Sequence, residues 1–181
     1  IILHSSLLIF CDDKGSLITP EVQFVIGTAA INQSCYHLGL TNSGQVLFAL
    51  SATGSPSTNA NPRLVTSLRV ATNAWSFVVA TYDGTAMRVY INGVLAAQTN
   101  YAGGIFPGNA GLGVGGIPSP FATASFLWPF NGSLDEITLY SRALSAGENL
   151  AIYNSDITGK CAVAPSITMQ PQSQTIPLGE D

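Results

Sequence analysis

The run Trp75–Tyr82 (WSFVVATY) carries apolar groups on both of its sides. Phe77, Val79 and Thr81 share one face, and Val78, Ala80 and Tyr82 share the other. A β-branched and aromatic run that is apolar on both faces predicts a central strand covered on each side. Asp83-Gly84 follows, and predicts a tight hairpin whose central residues take positive φ. Residues 87–91 (MRVYI) return as a strand, with Met87, Val89 and Ile91 on one face and Arg88 and Tyr90 on the other. Asn92-Gly93 is a second hairpin signal, and residues 94–98 run back again. Two such turns in close succession argue against a helix.

The same reading predicts strands at 1–10, 21–26, 36–40, 45–50, 63–70, 112–115 and 134–140. Between them lie turn signals at 12–15 (DDKG) and 42–44 (NSG), and a Ser/Asn/Pro loop at 51–62. A Gly-rich stretch at 102–116 leads into a Pro-punctuated loop at 117–129. Ser145 and Glu148 form an S-x-x-E capping box, so a short helix is expected there, with Leu150, Ile152 and Tyr153 as its apolar edge and Gly159 as its stop. Serial hairpins closed by one capped helix predict an all-β chain: a two-sheet antiparallel sandwich with one short C-terminal helix.

Composition supports that class and removes several functions. Of the 181 residues 46% are hydrophobic and only 9% are charged. Long surface helices carry Lys and Glu on their outer faces, and this chain has too few to supply them. Net charge is −4, with six Lys and Arg scattered along the chain, so non-specific nucleic-acid binding is excluded as a role. No apolar run approaches the roughly twenty residues that cross a bilayer, so no membrane insertion is expected. Residues 1–10 (IILHSSLLIF) contain His4 and have neither a basic start nor an initiator Met, so they do not read as a signal peptide. The chain reads instead as a piece of a longer protein. Cys11, Cys35 and Cys161 have no C-x-x-C spacing, which argues against zinc. A Cys35–Cys161 disulfide with one free thiol, and three unpaired cysteines, are equally open readings.

Taken in order, Trp75, Thr81 to Gly84 (TYDG), Tyr90, Asn92-Gly93, residues 130–136 (FNGSLDE) and residues 142–148 (RALSAGE) resemble the laminin-G-like (concanavalin A-like) jelly-roll domain of bacterial extracellular proteins. The resemblance is strong from about residue 39 to 153 and weaker before. It implies a jelly roll over residues 1–160, with N-terminal strands that are divergent or truncated. On that pattern Trp75 and Phe130 are expected in the core. Residues 161–181 read as a linker and the first strand of a second domain, because residues 164–181 (APSITMQPQSQTIPLGED) resemble the opening of bacterial immunoglobulin-like repeats.

Two groups of residues could carry chemistry. Asp135-Glu136 is an adjacent carboxylate pair in a predicted strand, and period two sends at least one of them toward a covered layer, where it needs a partner. The resemblance implies calcium as a cofactor, for which Asp135 is the first candidate ligand, with Asp83 and Asn131 as further oxygens. An ion pair with Arg142 is the structural alternative. The second group is aromatic: Trp128, Phe126, Phe121 and Tyr101 lie in or beside Gly/Pro-rich loops, where exposed rings stack on sugars. The alternative is that these rings plug the end of the sandwich. His37 reads as structural.

No E-x-D-x-x-E spacing of the kind found in jelly-roll glucanases occurs, and neither His4 nor His37 adjoins a nucleophile motif. The expectation is therefore not an enzyme. It is a non-catalytic recognition or adhesion module of a larger secreted or cell-surface protein, binding carbohydrate. Its partners would be a glycan or an extracellular protein, and other domains of the same chain. A jelly-roll glycoside hydrolase and a structural spacer with no small ligand are the alternatives.

Overall fold

The structure, a computed structural model, describes residues 5–13, 22–28, 33–55, 62–118 and 126–155, with side chains for 26–28, 33–55, 62–116 and 128–155. It is a sandwich of two five-stranded antiparallel sheets. Sheet A holds β1 (Ser5–Asp13), β6 (Trp75–Tyr82), β7 (Ala86–Ile91), β8 (Val94–Asn100) and β12 (Gly132–Tyr140), ordered β12-β1-β6-β7-β8. Sheet B holds β2 (Val22–Thr28), β3 (Tyr36–Thr41), β4 (Gln45–Leu50), β5 (Arg63–Arg69) and β9 (Leu112–Val114), ordered β5-β4-β3-β2-β9. β10 (Ile117–Pro118) and β11 (Phe126–Leu127) pair with each other inside the stretch expected to be loop, and α1 is Ala146–Asn154.

The strand that is apolar on both faces, β6, sits at the centre of sheet A and is buried from Ser76 to Tyr82. Its Val78, Ala80 and Tyr82 face sheet B and pack with Met87, Val89 and Ile91 of β7, Leu38 and Leu40 of β3, and Val46, Phe48 and Leu50 of β4. Each such side chain contributes roughly 1.5–3 kcal/mol by leaving water. Its Phe77 and Val79 face the other way and cluster with Tyr90 and Leu144. The helix segment covers that face, with the Tyr153 ring stacked on Phe77 at 6.0 Å. The capping box forms as expected: Ser145 Oγ accepts from the Glu148 amide at 3.2 Å, and Glu148 Oε2 accepts from the Ser145 amide at 2.8 Å. The helix ends earlier than Gly159, at Asn154 with Ser155 as its cap. Within it Asn149, rather than Leu150, is the fully buried residue.

The two hairpins differ. Asn92 and Gly93 both take positive φ, 52° and 78°, as the primed two-residue turn requires. A Cβ on Gly93 would also lie 2.8 Å from Leu150 Cδ1, so this turn doubles as the seat of the helix. At Asp83-Gly84 only Gly84 is left-handed, at 88°. The Asp83 carboxylate organises a wider turn instead, accepting at Oδ1 from the amides of Thr85 and Ala86 at 2.9 and 2.8 Å and from the Thr85 hydroxyl at 2.7 Å.

Two further expectations change, and a third falls outside the described residues. The 12–15 turn starts later, because β1 continues through Asp13. The N-terminal strand is not missing from the sheet: β1 lies between β12 and β6, with Ser5 opposite Tyr82 and Asp12 opposite Trp75. Cys35 is a free thiol, while Cys161 and the whole of 161–181, and with them the Cys35–Cys161 reading, lie outside the described residues.

Register defines two ends of the sandwich. At one, Trp75 lies opposite Asp12 and Asp12 opposite Ser133. At the other, Tyr82 lies opposite Ser5 and Ser6 opposite Tyr140.

Candidate functional site

The aromatic candidates fall at opposite ends. Tyr101 follows β8 at the Tyr82 end, where its ring packs on Tyr82 at 5.6 Å and its hydroxyl donates to the Gly104 carbonyl at 2.8 Å. It belongs to the packing of the core, not to an exposed platform. Trp128 lies just before β12 at the Trp75 end, where the Phe130 amide donates to the Gly115 carbonyl at 3.0 Å. Trp128 is 38% exposed and takes φ 49°. A bulky residue in the left-handed region is strained, and such strain persists where the surrounding structure fixes it. The backbone of Phe126 pairs in β11, and Phe121 lies outside the described residues.

Trp75 was expected in the core beside Phe130. Phe130 does pack against the core, but Trp75 is 53% exposed. It shares the outer face of sheet A with Phe77 and Val79, and the helix covers Phe77 through Tyr153 but stops short of Trp75. Alternation alone could not reveal this, since it gives a residue's face but not how far a covering element reaches. The chain has two tryptophans, and both are exposed at one end of the sandwich.

The acidic candidates do not converge. Asp135 and Glu136 are both exposed, so neither meets a covered layer. The cause is a β-bulge: Glu136 takes φ 52°, and the β1–β12 register shifts between Leu8 and Phe10. The extra residue lets Leu134 and Ile137 both pack into the core while the two carboxylates point out. Asp135 Oδ1 accepts from the Glu136 amide at 2.7 Å. Arg142 pairs with Glu148 rather than Asp135, bidentately at 2.9 and 2.5 Å. That pair and the Ser145 donors hold the Glu148 carboxyl down to about 2.

Asp83 already uses both oxygens, Oδ1 in its own turn and Oδ2 on Arg88 at 2.5 Å. Burial pushes its carboxyl up, but Arg88, Thr85 and Ala86 together outweigh this and hold it well below the usual carboxylate range. Asp135 is level with Phe10 and Phe77, so Asp83 lies six residues further along the sheet, about 20 Å away. Asn131 precedes β12 at the opposite end from Asp83. Asp83 is therefore not brought together with Asp135 and Asn131, and among the described residues no group of three His, Cys, Asp or Glu side chains is placed to hold a metal ion.

His37 is structural: it is 1% exposed, its Nε2 lies 2.8 Å from the Thr28 carbonyl, and burial pushes its pKa down. No helix among the described residues is long and apolar enough to cross a membrane.

Residues 18–148 match the model of the concanavalin A-like lectin/glucanases superfamily, Laminin_G_3. The chain belongs to this family. No curated protein sequence matches it. Among solved structures it is similar to the CBM40 of a Ruminococcus gnavus IT-sialidase bound to alpha2,3 sialyllactose, at 19% identity and a TM-score of 0.67, covering 84% of this chain and 83% of that one. It is also similar to a heptameric SAP-like pentraxin of Limulus polyphemus, at 15% identity and a TM-score of 0.64, covering 88% and 72%. A third is domain 4 of AbnA, a GH43 extracellular arabinanase from Geobacillus stearothermophilus, in complex with arabinotriose. There the identity is 18% and the TM-score 0.57, covering 83% and 66%.

Proposed function

We propose that this chain is a carbohydrate-binding module, non-catalytic, working outside the cell as part of a larger secreted or cell-surface protein. The observation that carries the reading is the exposure of both tryptophans at one end of the sandwich, with Trp128 held at φ 49°. Indole faces stack on the apolar faces of sugar rings. Two structural neighbours that hold sugars, the CBM40 with sialyllactose and the AbnA domain with arabinotriose, support the same reading.

The carboxylates argue for binding without hydrolysis. Glycosidases place two carboxyl groups across the scissile bond, about 5–9.5 Å apart with a cleft between them. Among the described side chains, Asp83 and Glu148 are tied to Arg88 and Arg142, and Asp135 and Glu136 are neighbours on an exposed bulge. A glycan array followed by pull-down on insoluble polysaccharides tests the reading. Trp128→Ala and Trp75→Ala are each expected to weaken retention about ten-fold while leaving the thermal melt in place. Retention of no glycan by the wild type, or retention by both variants as strong as that of the wild type, would remove the proposal.

A further inference from the structure

Among the described residues, the side of the sandwich where β9 faces β12 is not closed. Ile26 packs in the core and lies opposite Val114, and Thr28 lies opposite Leu112, so by alternation Leu112 and Val114 face sheet A. Leu139 lies two residues beyond Ile137, another core residue, and faces sheet B. Side chains facing inward in a sandwich are normally buried. Here Leu112, Val114 and Leu139 stay 46%, 48% and 46% exposed.

Between the two edges, at the Tyr82 end, lies a half-enclosed cavity of about 370 Å³, within the roughly 300–1,000 Å³ range of small-molecule sites. Leu112 and Leu139 line it from the two strands, and the segment from Ile105 to Ala110 supplies further lining. That segment is anchored: the Phe106 amide donates to the Ser51 carbonyl at 2.7 Å, and a Cβ on Gly108 would lie 2.0 Å from the Gln33 carbonyl oxygen.

The lining fixes the ligand class. None of the described lining residues is charged. The Thr28 hydroxyl is taken by the Cys35 amide at 2.8 Å, and the Cys35 thiol lies 3.6 and 3.7 Å from the Gln33 and Gly108 carbonyls, to which it can donate. An ion needs a countercharge, which this wall lacks, and its hydroxyl-bearing residues, Thr28, Tyr36, Tyr140 and Ser141, are outnumbered by the apolar Ile105, Phe106, Pro107, Ala110, Leu112 and Leu139. We infer that the cavity between β9 and β12 is a binding site for a neutral, apolar small molecule, separate from the tryptophan end of the sandwich.

The solvatochromic naphthalene prodan, which is neutral, is a suitable probe for the intact chain. Saturable blue-shifted emission is expected, weakened about ten-fold by the cavity-filling change Ala110→Trp and unchanged in Trp128→Ala. Because Ala110→Trp can disturb folding, Cys35 on the cavity wall supplies a second readout. In a Cys11→Ser/Cys161→Ser background, prodan is expected to slow alkylation of Cys35 about ten-fold. No saturable emission, or binding that leaves the alkylation rate of Cys35 unchanged, overturns the assignment. Loss of glycan retention in Trp128→Ala has no bearing on it.

Discussion

Asn149 is fully buried in the helix interface, yet neither its amide nitrogen nor its oxygen has a hydrogen-bond partner. Leaving such a group unsatisfied costs about 1–3 kcal/mol, so Asn149→Leu, close in shape and apolar, is expected to stabilise the domain. A gain of about 1 kcal/mol would raise the midpoint of a thermal melt by about 2–4 °C for a chain of this size. Asp83 is the opposite case, a carboxylate whose every oxygen is used. Asp83→Ala should cost about 1–2 kcal/mol, measured by urea titration at neutral pH. Its folded pKa lies below the unfolded value, so its contribution is present above the unfolded pKa and is lost on acidification. The gap between wild type and Asp83→Ala should therefore close progressively below about pH 4.

At the scale of elements, the helix start couples the capping box to an ion pair, since Glu148 receives Ser145 and Arg142 together. Its carboxyl is held at about 2, against about 4.3 when unfolded. Whatever it adds to helix docking is present above pH ~4.3 and disappears as pH falls toward about 2. Glu148→Gln is expected to melt earlier than wild type at neutral pH and to converge with it in acid, followed by far-ultraviolet circular dichroism. This element was readable in the sequence because its signals are local: a cap residue, its partner three positions on, and an apolar edge. The Asn92-Gly93 turn was readable for the same reason. The bulge at Glu136 was not, because nothing near a two-residue carboxylate pair announces that one residue too many has entered a ladder. The expectation that one of Asp135 and Glu136 meets a covered layer failed with it.

At the scale of the molecule, the two-sheet class followed from β6 and its hairpins, but which ends and sides stay open did not. Trp75 and Leu139 occupy positions that alternation assigns to covered faces, and both are exposed because the covering element stops or the sheets part. The tryptophan end and the β9–β12 cavity are products of those limits, and so only coordinates reveal them. β12 is moreover an edge strand of sheet A, paired on one side only among the described residues. A flat apolar edge would recruit the edge of another copy. The bulge twists this one, and it places two negative charges side by side where a second strand would have to align. Replacing Asp135 and Glu136 by Val is expected to convert a monodisperse sample into higher oligomers by light scattering. The pair that looked like a ligand set then has a different use, as a guard that keeps one sandwich from growing into the next.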